Sequence, residues 1–425
     1  MKIVVPHIHK IEGKAGFWAK VAKTGKIEDL RIEVLEGLRQ IEGILIGRRV
    51  QDVPIVVSRI CGICPVVHIL NACSALEKAL EIKVSPEIIL LRKLFLVSQI
   101  IQSHTLHLFF MSLPDFFNLE NELDLMKKFK KETRAALKIR DFSLKIARIV
   151  GGRAVHPIRP QLGGFTKLPT KPDLKKILRD FPFIIEQALI LAETFKDLSY
   201  PVLKRRTNFV SLFSKDEYSF YQAPHLLSKN KKITISHFYA NEIEEDLKIL
   251  PVKRVKYRGE PYLVGAMARI KNNGQFLAPL ARKFFQDFKK KHSLSEEDFF
   301  ANVYYNIFSQ AIEVIHFLEI SEQVTKEILK SEFQESKKEF QISKGSGLSA
   351  MEAPRGTLFT YLEVDKQGRI LNCHIVTPTA QFLANLEEDL KVLMPQIFKL
   401  SEKEKIRKVR SLIRAYDPCI SCAVH

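Results

Sequence analysis

Two Cys-x-x-Cys pairs, Cys61/Cys64 and Cys419/Cys422, stand at opposite ends of a chain of 425 residues and account for four of its six cysteines. Any site that uses both pairs must be closed by the whole fold, because nearly the entire sequence lies between them. Within a pair, thiols at i and i+3 lie side by side when the backbone turns or enters a helix. In Arg59-Ile-Cys-Gly-Ile-Cys-Pro-Val-Val-His68, Gly62 permits the close turn and Pro65 suits a first helical position. Cys64 is then expected at a helix N-terminus, where the dipole favours thiolate. The second pair, in Asp417-Pro-Cys-Ile-Ser-Cys-Ala-Val-His425, ends the chain. Structural zinc is the default reading of two such pairs, but zinc ribbons place them about 15–20 residues apart on small loops. A site joining the two ends of a chain is deep, which suits a catalytic cofactor better than a local staple. Soft thiolates select zinc, copper(I), iron–sulfur or nickel-type centres, and spacing alone does not choose among them.

The six cysteines do not read as a disulfide framework in a chain of this size. The N-terminus lacks an apolar segment followed by a small-residue cleavage site. The longest apolar candidate, Ile88 to Leu113, is interrupted by Arg92, Lys93, Gln99, His104 and His107, so no membrane insertion and a cytoplasmic location are expected. The formal charge is +19. It is spread over Lys127–Lys131, Lys229–Lys232 and Lys289–Lys291, which are not interleaved with aromatics as a stacking platform is, Phe129 being the one aromatic among them; a solvated lysine-rich surface or a face for an acidic partner fits better than nucleic-acid binding.

Periodicity predicts an α+β fold dominated by helices, with a central bundle of long helices and peripheral β-hairpins and small sheets. An N-terminal hairpin region covers about 1–50, with residues 15–35 turning at Lys23-Thr-Gly-Lys26. A helical core covers about 60–200 and 278–340, an irregular β insert about 205–275 (with a strand at Tyr262 to Ile270), and a C-terminal hairpin and helices about 350–425. The expected helices run over 65–82, 87–113, Glu122 to Val150 (stopping at Gly151-Gly152), Lys171 to Leu198 and Ala278 to about Glu339. A second hairpin is expected over Thr357 to Val364 and Arg369 to Thr377, turning at Asp365-Lys-Gln-Gly368.

The residues around the cysteines narrow the choice of metal. R-I-C-G-I-C-P-x-x-H near the start and D-P-C-x-S-C-x-x-H at the end closely resemble the two cysteine motifs of the [NiFe]-hydrogenase large subunit. His9-Lys-Ile-Glu-Gly13, Gln102-Ser-His-x-x-His107 followed by Pro114-Asp115, Glu352-Ala-Pro-Arg-Gly356 and Thr377-Pro-Thr379 extend the resemblance along the chain, which is most like the soluble cytoplasmic "group 3" enzymes.

What that resemblance implies is specific. All four thiolates would hold nickel, and Cys64 and Cys422 would also bridge to an iron that carries CO and cyanide; Cys61 and Cys419 would be terminal. H2 is a very weak acid, so its heterolytic cleavage needs a metal pair to accept hydride and a base to accept the proton, a role open to the terminal thiolate Cys419. Arg355 matches an arginine above the metals, beside Pro354, and Asp115 and Asp417 match carboxylates that hold it. Taken bare, either aspartate could simply cap or end a helix. Glu12 matches the residue that carries protons away; Thr379 would donate to a cyanide and His68 would hydrogen-bond a thiolate. Glu42 and His425 resemble ligands of a separate Mg or other divalent ion near the C-terminus. His104 and His107, one turn apart, read equally as core histidines or a zinc pair lacking a third ligand. Cys73 and Cys373 lie outside the motifs, and Cys373, on a strand face with Leu371 and Ile375, reads as a buried thiol. Lys10, Lys14 and Phe382 depart from the family pattern and would change the metal's surroundings without touching its ligands.

The chain offers neither further cysteine motifs for iron–sulfur clusters nor a glycine-rich dinucleotide fingerprint. Electrons from H2 would therefore leave through a small subunit with iron–sulfur clusters, with further electron-transfer subunits beyond it. Reversible H2 cleavage to protons and electrons is the expected activity. An H2 sensor with the same site and little turnover is the alternative, and a zinc-dependent nucleic-acid protein or a cysteine-less relative such as the quinone-site subunit of complex I fits the four cysteines less well.

Overall fold

The computed structural model describes residues 2–22, 27–246, 252–331 and 340–425, the side chains of 241–246 excepted. The Lys23–Lys26 turn and the expected helical end near Glu339 lie outside the described residues. Four long helices form the bundle: Pro86–Leu106, Lys130–Gly151, Lys171–Lys196 and Tyr305–Lys330, each packed against two of the others. Pro86–Phe116 is long and apolar enough to span a membrane by length and composition, but its apolar window is 78% buried inside this bundle.

Three antiparallel strands, Gly345–Ala353, Gly356–Val364 and Ile370–Val376, form the sheet that matters most to the site. Its register pairs Ala353 with Gly356, so Pro354 and Arg355 are the two-residue tip of a hairpin. Helix Pro65–Ala79 packs on the first two strands, which makes this sheet an interior layer rather than a peripheral one. A second three-stranded sheet, Lys2–Val5, Ala15–Val21 and Ile27–Val34, covers the N-terminal side. One cluster of buried apolar residues runs from Ile3 to Val424.

Several sequence expectations shift in position or type. The charged helix expected from Glu122 breaks at Phe129 into Glu122–Lys128 and Lys130–Gly151, and ends at Gly152 in the left-handed conformation (φ 81°). The 87–113 helix runs on through a π-helical turn, His107–Ser112, into Leu113–Phe116. The strand expected over Tyr262 to Ile270 stops at Leu263, and Ala266–Asn273 is a helix. An apolar run of this length cannot be assigned by periodicity; Gly265, at φ 110°, supplies the turn between the two.

Candidate metal centre

Each cysteine pair enters the site from a helix start. Cys64 immediately precedes helix Pro65–Ala79, with Pro65 at its first position. Asp417 sits in the left-handed region (φ 53°), a conformation that aspartate adopts more readily than most residues other than glycine. It turns the chain so that Pro418 and Cys419 lead into the short helix Ile420–Ala423. The N-terminal segment seals the join: Glu12 bridges Cys419 in parallel and its carbonyl accepts from the Ile420 amide at 2.9 Å.

The result is one buried quartet. All four Sγ atoms lie within 4.8 Å of one another, with Cys61–Cys419 at 3.6 Å, Cys64–Cys422 at 3.0 Å and Cys419–Cys422 at 2.9 Å. Hydrogen bonds from Cys419, Cys422 and Cys64 push the Cys61 thiol well below the usual range. Burial and the neighbouring sulfurs push Cys419 well above it. One thiolate is thus easily formed and the next is opposed, because like charges this close in a buried site repel strongly. A soft cation would reverse the second effect, so the donor set fits a thiolate-bound metal.

Three groups frame the quartet. The Cys419 thiol donates to Glu12 Oε2 at 2.9 Å, and the Ser421 amide donates to the same oxygen at 3.2 Å. Burial, then the Cys61 charge, push the Glu12 carboxyl up. Beyond it, the Ser421 hydroxyl donates to the half-buried Glu36 at 3.2 Å. On another side, Arg355 donates from Nε to the Asp417 carbonyl at 2.7 Å and from Nη2 to Asp417 Oδ1 at 2.8 Å, while Gln310 donates to Asp417 Oδ2 at 3.0 Å. A small cavity separates Arg355 and Pro354 from Cys64, Cys422 and Thr379. The Thr379 hydroxyl accepts from the Cys419 amide at 3.0 Å, and His68 Nε2 lies 3.6 Å from Cys422 Sγ. Burial takes His68 down to about 3, so its ring is neutral near pH 7.

One expectation is corrected. Asp115 does not reach Arg355. It lies on the short helix after the π-helical turn and pairs with Arg414 of helix Glu402–Ala415. The group on that side of Arg355 is Ser103, whose hydroxyl is 3.5 Å from Nη1. Glu42 and His425 do come together, with Glu42 Oε1 3.7 Å from His425 Nε2. The Lys253 ammonium already neutralises Glu42 at 3.2 Å. His425 Nδ1 faces the Cys422 carbonyl at 2.6 Å and Nε2 faces the Ile375 carbonyl at 3.1 Å.

The unassigned residues resolve as core. His104 bonds Glu313 at 2.8 Å, and His107 lies between Gln310 and the Arg414 carbonyl; neither forms a zinc pair. Burial pushes the Cys73 and Cys373 thiols up to about 12. Leu371, expected on the face of Cys373, is exposed. Phe382 packs on Tyr416, with ring centroids 5.5 Å apart. Lys10 adopts φ 62° and its ammonium lies 3.9 Å from Glu122.

Sequence reasoning missed Gln310, and it missed Arg269 and Glu313 of a buried trio with Glu352; Ser103 and Glu352 stood inside the quoted motifs without a role. The available signal for two of the trio was a lone charge inside an apolar run, Arg269 within Ala266–Ile270 and Glu313 within Ile312–Ile315.

A model of the nickel-dependent hydrogenase family matches residues 39–137 and 173–425. Sulfhydrogenase 1 subunit alpha of Pyrococcus furiosus is 31% identical over 100% of this chain and 98% of its own length. Sulfhydrogenase 2 subunit alpha of the same organism is 30% identical over 100% and 99%. The crystal structure of an NAD+-reducing [NiFe]-hydrogenase in the H2-reduced state superposes with a TM-score of 0.88 at 22% identity, covering 100% of this chain and 99% of that one.

Proposed function

The chain belongs to the nickel-dependent hydrogenase family and is the large subunit of a [NiFe]-hydrogenase; from that premise we propose how its residues divide the work. Cys61, Cys64, Cys419 and Cys422 would hold the nickel, and Cys64 and Cys422 would also hold an iron bearing CO and cyanide. Bound there, the metal pair supplies the polarisation that makes H2 acidic enough to lose a proton.

The Cys419 sulfur receives that proton and Glu12 removes it. The 2.9 Å contact between Cys419 Sγ and Glu12 Oε2 is the single observation that carries this assignment. It is a distance for direct transfer, and the Ser421 amide keeps the accepting oxygen in place. From Glu12 the proton passes by way of the Ser421 hydroxyl and Glu36, 3.2 Å apart, toward solvent. Arg355, fixed by the two bonds it donates to Asp417, presents positive charge to the small cavity beside Cys64 and Cys422, where H2 is held. Thr379 and Pro354 line the same cavity at the start of helix Pro378–Ile397, whose N-terminal dipole favours an anionic ligand such as cyanide.

Among the described residues, the quartet is the one group of three or more His, Cys, Asp or Glu placed to hold a metal. Electrons must therefore leave through another polypeptide, a small subunit with iron–sulfur clusters and electron-transfer subunits beyond it. The relatives named as alpha subunits are themselves parts of larger enzymes. We place the assembly in the cytoplasm.

The test is an infrared spectrum of the matured complex in the CO and cyanide stretching region, with nickel and iron content measured on the same sample. Bands for CO and cyanide with stoichiometric nickel are expected. Zinc alone, with no bands, would sink the metal assignment.

A further inference from the structure

Beneath the Pro354–Arg355 hairpin tip lies a cluster that the metal chemistry does not use. Arg269, Glu313, Glu352 and His104 are all 0% exposed. The Arg269 guanidinium has five N–H donors, and each has an acceptor. Nε and Nη2 grip the Glu313 carboxylate at 2.6 Å each. Nη1 donates to Glu352 at 2.9 Å and to the Ala353 carbonyl at 2.9 Å; Nη2 also donates to the Pro354 carbonyl at 3.0 Å. Ala353 and Pro354 are the two residues immediately before Arg355.

The acceptors are themselves held. Glu313 also takes Tyr218 Oη at 2.6 Å and His104 Nε2 at 2.8 Å, and His104 adjoins Ser103, the hydroxyl on the far side of Arg355. Glu352 takes the Leu212 amide at 2.8 Å and Thr357 Oγ1 at 2.7 Å. One guanidinium therefore joins helix Pro86–Leu106, helix Tyr305–Lys330 and both strands of the hairpin. Helix Ala266–Asn273, which carries Arg269, starts directly under the tip: a Cβ on Gly265 would lie 3.0 Å from the Arg355 carbonyl oxygen.

Stability is a poor reason for such a cluster. Buried ions lose solvation worth several kcal/mol each, and apolar replacements of similar volume are often no less stable. Placement is a better one. The bonds from Arg355 to Asp417 are 2.7 and 2.8 Å, so a shift of the tip by about 1 Å would break both.

We propose that Arg269, gripped by Glu313 and Glu352, is a positioning residue that fixes the Arg355 guanidinium beside the cysteine quartet by holding the carbonyls of Ala353 and Pro354. This rests on the reading of Arg355 as a working group, and the two can fail separately.

The experiment compares Arg269→Lys, Arg355→Lys and the double variant in the matured complex, with turnover, KM for H2, metal content and infrared bands measured for each. Lysine keeps the charge but has three donors for five acceptors. Arg269→Lys should lower kcat about tenfold to a hundredfold at full metal loading, and move the infrared bands in the same direction as Arg355→Lys. In the Arg355→Lys background it should cost little more. Equal losses in both backgrounds would make the role merely structural, and wild-type turnover would remove it; either result overturns the proposal. Wild-type turnover of Arg355→Lys alone would instead sink the reading of Arg355. Where Arg269→Lys does not load metal, Tyr218→Phe, which removes one donor to Glu313 without changing charge, replaces it. A smaller loss that vanishes in the Arg355→Lys background is then expected, and an additive loss or none overturns the proposal.

Discussion

Glu12 is held by its backbone to Ile420 and by its side chain to Cys419 and Ser421, so its carboxylate can be changed without losing its place. Glu12→Gln keeps the shape and the acceptor oxygen but cannot take a proton. It should load nickel and iron normally and lower H2 oxidation and H/D exchange with solvent about a hundredfold to ten-thousandfold; near-wild-type exchange would exclude Glu12 from the proton route. Arg355→Lys differs in kind. Lysine cannot span the Asp417 carbonyl and carboxylate as a guanidinium does, so turnover should fall steeply with metal content intact, as metal analysis beside an H2-dependent dye assay would show. At this scale the sequence spoke clearly for the cysteines, because thiol pairs flanked by Gly62, Pro65 and Pro418 have few other uses. It misled at Asp115. The π-helical turn His107–Ser112 has no sequence signature, and it sets which way Asp115 faces; Ser103, a residue with no charge to draw attention, lies next to Arg355 instead.

At the scale of elements, the site depends on how sharply two chain segments turn. The hairpin Gly345–Val364 reverses in two residues, and Gly356 takes φ 133° to allow it. A Cβ on Gly356 would stand 2.8 Å from the Gly265 amide nitrogen. Gly356→Ala therefore combines backbone strain of about 1–3 kcal/mol with overpacking of about 1–3 kcal/mol. It should lower the midpoint of thermal unfolding by several degrees and reduce turnover further than that loss explains, because the strained turn is the one that carries Arg355. A variant with wild-type midpoint and rate would show that the tip tolerates a side chain. The helices of the bundle were legible, since their apolar periodicity is sustained over five or more turns. The strand Gly345–Ala353 and the helix Ala266–Asn273 were not. Both are largely buried, and their character comes from packing in the core rather than from local pattern.

For the whole molecule, one face combines exposure with nearness to the metal. Ile55, on the short helix Val53–Val57, is 56% exposed, and Ile158 is 53% exposed. His156 joins the two regions through its 2.7 Å bond to the Ser58 carbonyl. Ile44, Ile46 and Val155 are also exposed, and the segment leads through Ile60 directly into Cys61. Arg39 pins this face to both cysteine loops, donating to the Ile60 carbonyl at 2.9 Å and to the Ser421 carbonyl at 3.2 Å. Clustered exposed aliphatics of this kind mark interaction surfaces. Electron transfer falls steeply with distance, so the iron–sulfur subunit proposed above would have to bring a cluster close to the quartet, and this face offers such an approach. If the iron–sulfur subunit docks here, Ile55→Lys or Ile158→Asp buries a charge without a partner and should weaken association at least about tenfold, or about 1.4 kcal/mol. The large subunit itself should still mature, because neither side chain touches the core. Val202→Lys, a change at a residue 65% exposed outside this face, is the control and should leave association unchanged. Co-purification and sedimentation of the matured subunits would decide the matter: full assembly of both face variants at wild-type affinity would move the docking surface elsewhere. Loss of assembly in the control as well would show only that added surface charge is disruptive anywhere.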